Sequence, residues 1–275
     1  ELVAKIASPP YDVLSTSEAR QMAAHNPSSF LHIIKPEIDL HDVDPSAEEV
    51  YLQGAKNLRR FIDDHLLIHE SEPCYYLYQQ IMGDHRQTGF VGVASVDEYR
   101  AGVIKKHEHT RPEKVTDRLR LMSALNAQTG PVFLAYRQTA KMAELVTLLL
   151  EKSLKLYEFT SYNDVHHIFY RIDDARDHHS IEQAFAHLPA LYIADGHHRS
   201  ESAAAFCQQK RRQLAKYSGD ESFNYFLSVT FPHTDLLILP YNRIVRDLND
   251  QPLDIFHRRL EEKFVVSPVQ DLKKL

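Results

Sequence analysis

Leu191-Tyr192-Ile193-Ala194-Asp195-Gly196-His197-His198-Arg199-Ser200 is the stretch on which the fold turns. Four apolar residues, too few for a helix, run into Asp-Gly, and from residue 200 to 214 the pattern is helical. That reads as a short strand passing directly into a long helix. Downstream, residues 223–231 and 236–241 read as strands and 253–263 as a helix. Upstream, 180–188 reads as a helix opened by Ser180 and Gln183 at capping-box spacing, 165–172 as a strand, 141–154 as a helix and 131–136 as a strand. Residues 117–128 look helical, with Leu121, Met122 and Leu125 inward, whereas the polar segment 107–116 should be a loop, because Pro112 argues against a helix through it. Residues 74–82 and 88–96 are β-branched and aromatic runs joined by Gly83-Asp84-His85-Arg86, which predicts a hairpin. Nearer the start, Ser15 and Glu18 open one helix that Asn26-Pro27 closes. Ser46 and Glu49 open another, whose Tyr51, Ala55, Leu58 and Ile62 share a face. Strands and helices mix without strict alternation. The expectation is therefore an α+β fold, a mixed β-sheet with helices packed around it, forming a single composite unit over residues 1–275.

Composition narrows the function classes. A chain of 275 residues with 43% apolar and 25% charged residues has ample material for a core. A net charge of −6 argues against general affinity for nucleic acid or an anionic membrane, so a site for a phosphate-bearing ligand must be a local cationic pocket. Cys74 and Cys207 cannot form a disulfide framework and point to a reducing, cytoplasmic setting. No apolar run reaches the roughly 18 residues a membrane span needs, and no signal peptide is evident. The chain does not begin with Met and stops in a charged stretch, so a piece of a longer protein is expected. With 8 glycines, a glycine-rich Walker loop is absent.

The strand-to-helix junction has a clear physical use. The first N–H groups of a helix lack intrahelical partners and carry partial positive charge. Gly196 lets a ligand approach the backbone, while His197, His198 and Arg199 add donors, making an anion site at a helix N-terminus. Asp195 could hold a metal ion or take a proton. The plainer alternative is that Asp195 caps the helix and both histidines lie on a solvated turn. Zinc needs further ligands at suitable spacing, and adjacent histidines are poor partners on one metal. A second cluster gathers Lys106, His107, Glu108, His109, Lys114, Asp117 and Arg118 before a helix. It reads either as a charged surface loop or as a site in which Glu108 is a general base or metal ligand and Lys114 and Arg118 bind anionic groups.

Three motifs in order, Ser8-Pro9-Pro10-Tyr11-Asp12-Val13, then His107-Glu108 with Lys114 and Asp117-Arg118, then Tyr192 to Arg199, resemble the DUF1015 family of uncharacterised proteins over most of the chain. The Asp-Gly-His-His-Arg string alone resembles the phosphate-contacting motif of the ParB/sulfiredoxin superfamily, which includes kinases of free serine. That second resemblance implies a ParB/sulfiredoxin-like element around Asp195 to Arg199 that contacts nucleotide phosphates, with Mg²⁺. No cysteine stands in the motif, which argues against sulfiredoxin-type repair chemistry. Family resemblance also implies that Tyr11, Asn242 and Arg243 belong to the site.

The expected function is therefore a nucleotide-dependent phosphotransferase, a kinase using ATP or ADP with Mg²⁺ on a small hydroxyl metabolite, free L-serine leading. Gly196, His197, His198 and Arg199 would cradle phosphates and Asp195 would bind Mg²⁺ or orient a histidine. Glu108 would take the hydroxyl proton, with Asp12 as substitute, and His107, Lys114 and Arg118 would neutralise the phosphate or grip a substrate carboxylate. A small-molecule substrate and a nucleotide are the partners, without nucleic acid or membrane. Rival readings are a nucleotide-binding regulator, a metal-dependent hydrolase using His107, Glu108, Asp195 and His197, and a scaffold.

Overall fold

The structure, a computed structural model, describes residues 2–239 and 245–268. The chain divides into two compact units, Glu1–Leu236 and Leu237–Leu275, where no shift in composition announced a boundary. The first unit holds helices α1 (Leu2–Ile6), α2 (Thr16–Ala23), α3 (Leu31–Ile34), α4 (Glu48–Asp63), α5 (Val96–Ala101), α6 (Pro112–Leu125), α7 (Ala140–Lys152), α8 (Ala175–Ala186) and α9 (His197–Gln213). Its strands are β1 (Tyr75–Met82), β2 (His85–Ser95), β3 (Ile104–Lys105), β4 (Val132–Tyr136), β5 (Leu154–Thr160), β6 (His166–Ile172), β7 (Leu191–Asp195) and β8 (Tyr225–Pro232). The described part of the second unit contains one helix, α10 (Leu253–Glu261).

The strands form one eight-stranded sheet in the order β3-β7-β4-β8-β2-β1-β6-β5. Pairing is parallel for β3 with β7 and for β4 with β8, and antiparallel elsewhere, so the sheet is mixed and the fold is α+β as expected. Alternation of side chains along a strand puts Leu77, Phe90 and Ile172 on one face, beneath Met142 and Leu149 of α7 and Ile181 of α8. Leu77 and Leu149 are fully buried, and a leucine placed so contributes about 1.5–3 kcal/mol. The opposite face carries Tyr76, Tyr78, Val91, Phe169, Val229 and Phe231. Small residues Ala203, Ala204 and Cys207 let α9 settle into a third cluster with Val132, Leu134 and Ile193.

Several expected boundaries move, each for a local reason. Ser15 does cap α2, with Glu18 returning the bond in a full capping box. The same spacing misleads at Ser46, whose N–H and hydroxyl both bond Asp44, so α4 starts at Glu48 without a side-chain cap. It misleads again at Ser180, which lies inside α8 and donates to the Arg176 carbonyl, while Asp174 caps the helix. Pro112 begins a helix instead of preventing one: at the first position its missing N–H costs nothing, and α6 runs from there. Lys114, Asp117 and Arg118 are thus helical. The hairpin turn shortens to Gly83-Asp84, since His85 and Arg86 pair with Met82 and Ile81. Strand β5, helix α5 and the two-residue β3 were not anticipated. Residues 236–239 form no strand, and 240–244 lie outside the described residues.

Candidate functional site

The three sequence motifs meet. Gly196 takes the left-handed conformation (φ 93°) between β7 and α9, the backbone region glycine tolerates best. It points Arg199 back across the junction. The guanidinium donates to the Pro131 carbonyl (2.9 Å), to Asp195 (3.3 Å) and, through Nη2, to both oxygens of Asp12 (3.2 and 3.3 Å). Arg199 also lies over the ring of Tyr11, 5.7 Å from its centroid, and Arg118 lies 3.9 Å from the same centroid. Arg118 is held by Asp117 (2.6 and 2.9 Å) and by the Ile34 carbonyl (3.2 Å). Two guanidiniums from different helices therefore share one phenol, an arrangement that favours cation–π attraction and spaces two positive charges for an anion. Burial is the main influence on the Tyr11 hydroxyl and pushes its pKa up, against the pull of Arg118.

Both histidines of the motif are engaged with the 107–111 segment. His197 is buried, 4% exposed, and its Nε2 accepts the His107 N–H (3.4 Å). The two imidazoles meet edge to face at 4.5 Å, and His197 Nδ1 stands 3.5 Å from Glu108 Oε2. Burial lowers the His197 pKa, assisted by the neighbouring His107 and His198 and opposed by Glu108 and Asp195. A neutral ring whose Nε2 accepts must carry its proton on Nδ1, facing Glu108. His198 Nε2 accepts the Arg111 N–H (3.1 Å). These two imidazoles fasten the 107–111 segment to α9.

A cavity of about 780 Å³ adjoins Arg118 and Arg199. Its walls come from the N-terminal segment around Pro9 to Tyr11, from α6 and the 127–132 connection, and from β1 with residues 159–167. Among the described residues its charged lining side chains are Lys5, Arg118 and Arg199, with no Asp or Glu. Both guanidiniums are paired behind the lining, Arg118 with Asp117 and Arg199 with Asp12 and Asp195, so what the cavity presents is guanidinium N–H groups with no carboxylate of the described lining facing them. The volume lies within the usual range of small-molecule sites, roughly 300–1,000 Å³.

Not every expected residue reaches the cavity. Arg118 and Arg199 line it, while Asp12 and Asp195 touch Arg199 from outside the lining. Gly196 is buried against Val132. His107, Glu108, His197 and His198 form the neighbouring cluster, and Glu108, 55% exposed, faces His197. Lys114 is exposed one helical turn before Arg118 and is not a lining residue. Tyr11 lies under both guanidiniums, while Asn242 and Arg243 fall outside the described residues. Sequence reasoning missed Lys5, Tyr78, Gln80, Ser161 and His167, all on the wall. The available signal was polar residues at alternate positions of otherwise apolar strands, as at Tyr78 and Gln80.

Asp195 tests the expected metal. Its side chain is 60% exposed and one oxygen takes Arg199, which leaves the other free to face solvent. Among the described residues no group of three His, Cys, Asp or Glu gathers to hold a metal ion, so the zinc-type hydrolase set of His107, Glu108, Asp195 and His197 is not assembled. Mg²⁺, which is commonly bound by one or two carboxylates together with phosphates, remains compatible with Asp195 as a lone protein ligand.

No helix among the described residues is long and apolar enough to cross a membrane. No curated protein and no solved structure matches the chain. A family model described as "Protein of unknown function (DUF1015)" matches residues 1–274, in keeping with the three motifs that converge on Arg199, and the chain belongs to that family.

Proposed function

We propose that this protein binds a nucleotide in the cavity beside Arg118 and Arg199 and transfers its terminal phosphoryl group to a small hydroxyl metabolite, with free L-serine the first acceptor to test. One observation carries the reading: a cavity large enough for a nucleotide, lined by Lys5, Arg118 and Arg199 and by no carboxylate among the described residues. Phosphoryl transfer asks a protein chiefly to position phosphates and to set cations over the developing charge. The two guanidiniums over Tyr11 supply that. Asp195 would hold Mg²⁺, which offsets phosphate charge when bound. Asp12, bonded to Arg199, takes over from Glu108 the role of accepting the hydroxyl proton, because Glu108 faces His197. The reading goes with a cytoplasmic place, where nucleotides are abundant and the free Cys74 and Cys207 stay reduced.

A second reading, a nucleotide-binding regulator without transfer, is favoured by the place of Asp12, whose two oxygens are both engaged by Arg199 outside the lining. Calorimetric titration of the chain with ATP, ADP, CTP and tripolyphosphate, with and without Mg²⁺, followed by incubation with nucleotide and serine and mass spectrometry for phosphoserine, separates the two. Arg118→Ala and Arg199→Ala should each weaken nucleotide binding about tenfold or more, the loss of a charge-assisted hydrogen bond. Wild-type protein that binds none of these ligands at millimolar concentration refutes both readings.

A further inference from the structure

The wall of the cavity built by β1, β6 and the β5–β6 turn has a different chemistry. Its side chains are held by two sets of hydrogen bonds. Gln87 Nε2 donates to Gln80 Oε1 (2.5 Å), Tyr78 Oη meets His167 Nδ1 (2.6 Å), and His167 Nε2 meets Ser161 Oγ (2.9 Å). The direction of the protons follows from the far end. Ser161 Oγ lies 2.7 Å from Asn163 Oδ1 and 3.0 Å from the Val165 carbonyl, and both can only accept. The serine proton is therefore spent there, so His167 donates from Nε2 and its Nδ1 accepts the Tyr78 proton. Burial lowers the His167 pKa, helped by His166, and keeps the ring neutral. Burial likewise pushes the Tyr78 phenol up, against the adjacent Gln80 amide, so its proton stays. Phe159 stacks on His167 (4.9 Å, 19°), and His167 stacks on Tyr78 (5.8 Å, 8°), which holds the rings in place.

Two consequences follow. Ser161 is not a nucleophile primed by His167, because its proton points the other way. The wall is instead a fixed, uncharged hydrogen-bonding surface, to which Gln80 and Asn163 contribute amide N–H groups. Beside it Tyr162, a residue 68% exposed, lines the same cavity and offers a ring for stacking.

We propose that this wall is the subsite for the nucleoside part of the ligand: a planar heterocycle bearing carbonyl or ring-nitrogen acceptors and an N–H donor stacks on Tyr162, its acceptors read by the amides of Gln80 and Asn163 and its N–H accepted by the Tyr78 oxygen, whose own proton goes to His167. The inference rests on the nucleotide reading and adds an orientation to it, with the phosphates at Arg118 and Arg199 and the base at β1 and β6. Phosphate alone would use only the cationic end.

Calorimetric titration of wild type, Tyr162→Ala and Tyr78→Phe with ATP and with tripolyphosphate tests it, each variant first shown to keep the wild-type circular dichroism. Tyr162→Ala touches an exposed ring, so its folding is not at risk. Both variants should lose ATP affinity, about fivefold or more for the stacking ring and about threefold to tenfold for the hydroxyl, while tripolyphosphate affinity stays within about twofold. If ATP binds wild type and both variants equally well, the subsite is wrong and the nucleotide reading stands. If the variants lose tripolyphosphate affinity in the same ratio, the wall contacts phosphate and the orientation is wrong. If tripolyphosphate binds wild type and ATP does not, the nucleotide reading itself fails and the subsite falls with it.

Discussion

Whether the first and last motifs truly meet can be decided without any ligand, through the pair Asp12 and Arg199, which are 187 residues apart in sequence. Arg199 is 12% exposed at its side chain and Asp12 40%, so the pair lies between an exposed ion pair and a buried one. Exposed pairs couple by about 0.2–1 kcal/mol, and hydrogen bonds to charged groups contribute about 1.5–3 kcal/mol. Solvent reaches the Asp12 carboxylate, so the coupling belongs at the top of the exposed range, about 1 kcal/mol. Removing Arg199 also orphans the Pro131 carbonyl and frees Asp195, so Arg199→Ala should cost about 2–3 kcal/mol against about 1 kcal/mol for Asp12→Ala. A double-mutant cycle by urea denaturation, using both single variants and the double, isolates the coupling. The pair of Asp195 and Arg199 serves as an internal comparison. It spans one helical turn and Asp195 is 60% exposed, so its coupling should fall to about 0.3–0.5 kcal/mol. A coupling of Asp12 to Arg199 below about 0.3 kcal/mol, or smaller than that of Asp195, refutes the convergence.

Three further outcomes follow from the geometry. His197 has its pKa lowered in the fold, so the stability tied to its neutral ring is complete above the ordinary value of 6.5 and is lost as pH falls toward the depressed folded value. Site-resolved NMR titration should find His197 titrating below 6.5 and His32, raised by its hydrogen bond to Asp39, above it; the reverse order contradicts the buried contacts of His197. Gly89→Ala should destabilise by about 1–3 kcal/mol in chemical denaturation, because a Cβ there lies 2.8 Å from the buried ring of Phe231, and an unchanged midpoint would mean β2 and β8 are not so close. Gly196→Ala should cost about 1–3 kcal/mol through its left-handed backbone and a Cβ 3.3 Å from Val132 Cα, and a neutral result would exclude the tight β7-to-α9 turn.

What the sequence discloses, and what it withholds, divides along the range of the interaction. The β7-to-α9 junction was legible because apolar run, Asp-Gly turn and helical period are all local. Capping spacing is local too, yet it succeeded at Ser15 and failed at Ser46 and Ser180, since a cap also requires that its residue leave the helix, and Ser180 does not. Pro112 shows the same ambiguity: the ring that breaks a helix interior is at ease at its first position. At the site, the motifs named residues that do gather, but not what each one holds. His197 and His198 looked like ligand contacts because imidazoles are good donors; in the fold both accept backbone N–H groups across about ninety residues, a pairing no spacing rule encodes. Tyr78 and His167 stayed hidden for the same reason, since β1 and β6 become neighbours only once the sheet forms. Thus most of the motif side chains are spent on joining the three segments. What the joining carries to the cavity is a different set of side chains, two guanidiniums fixed over Tyr11 and a neutral wall facing the same space, and the proposed ligand contacts rest on those.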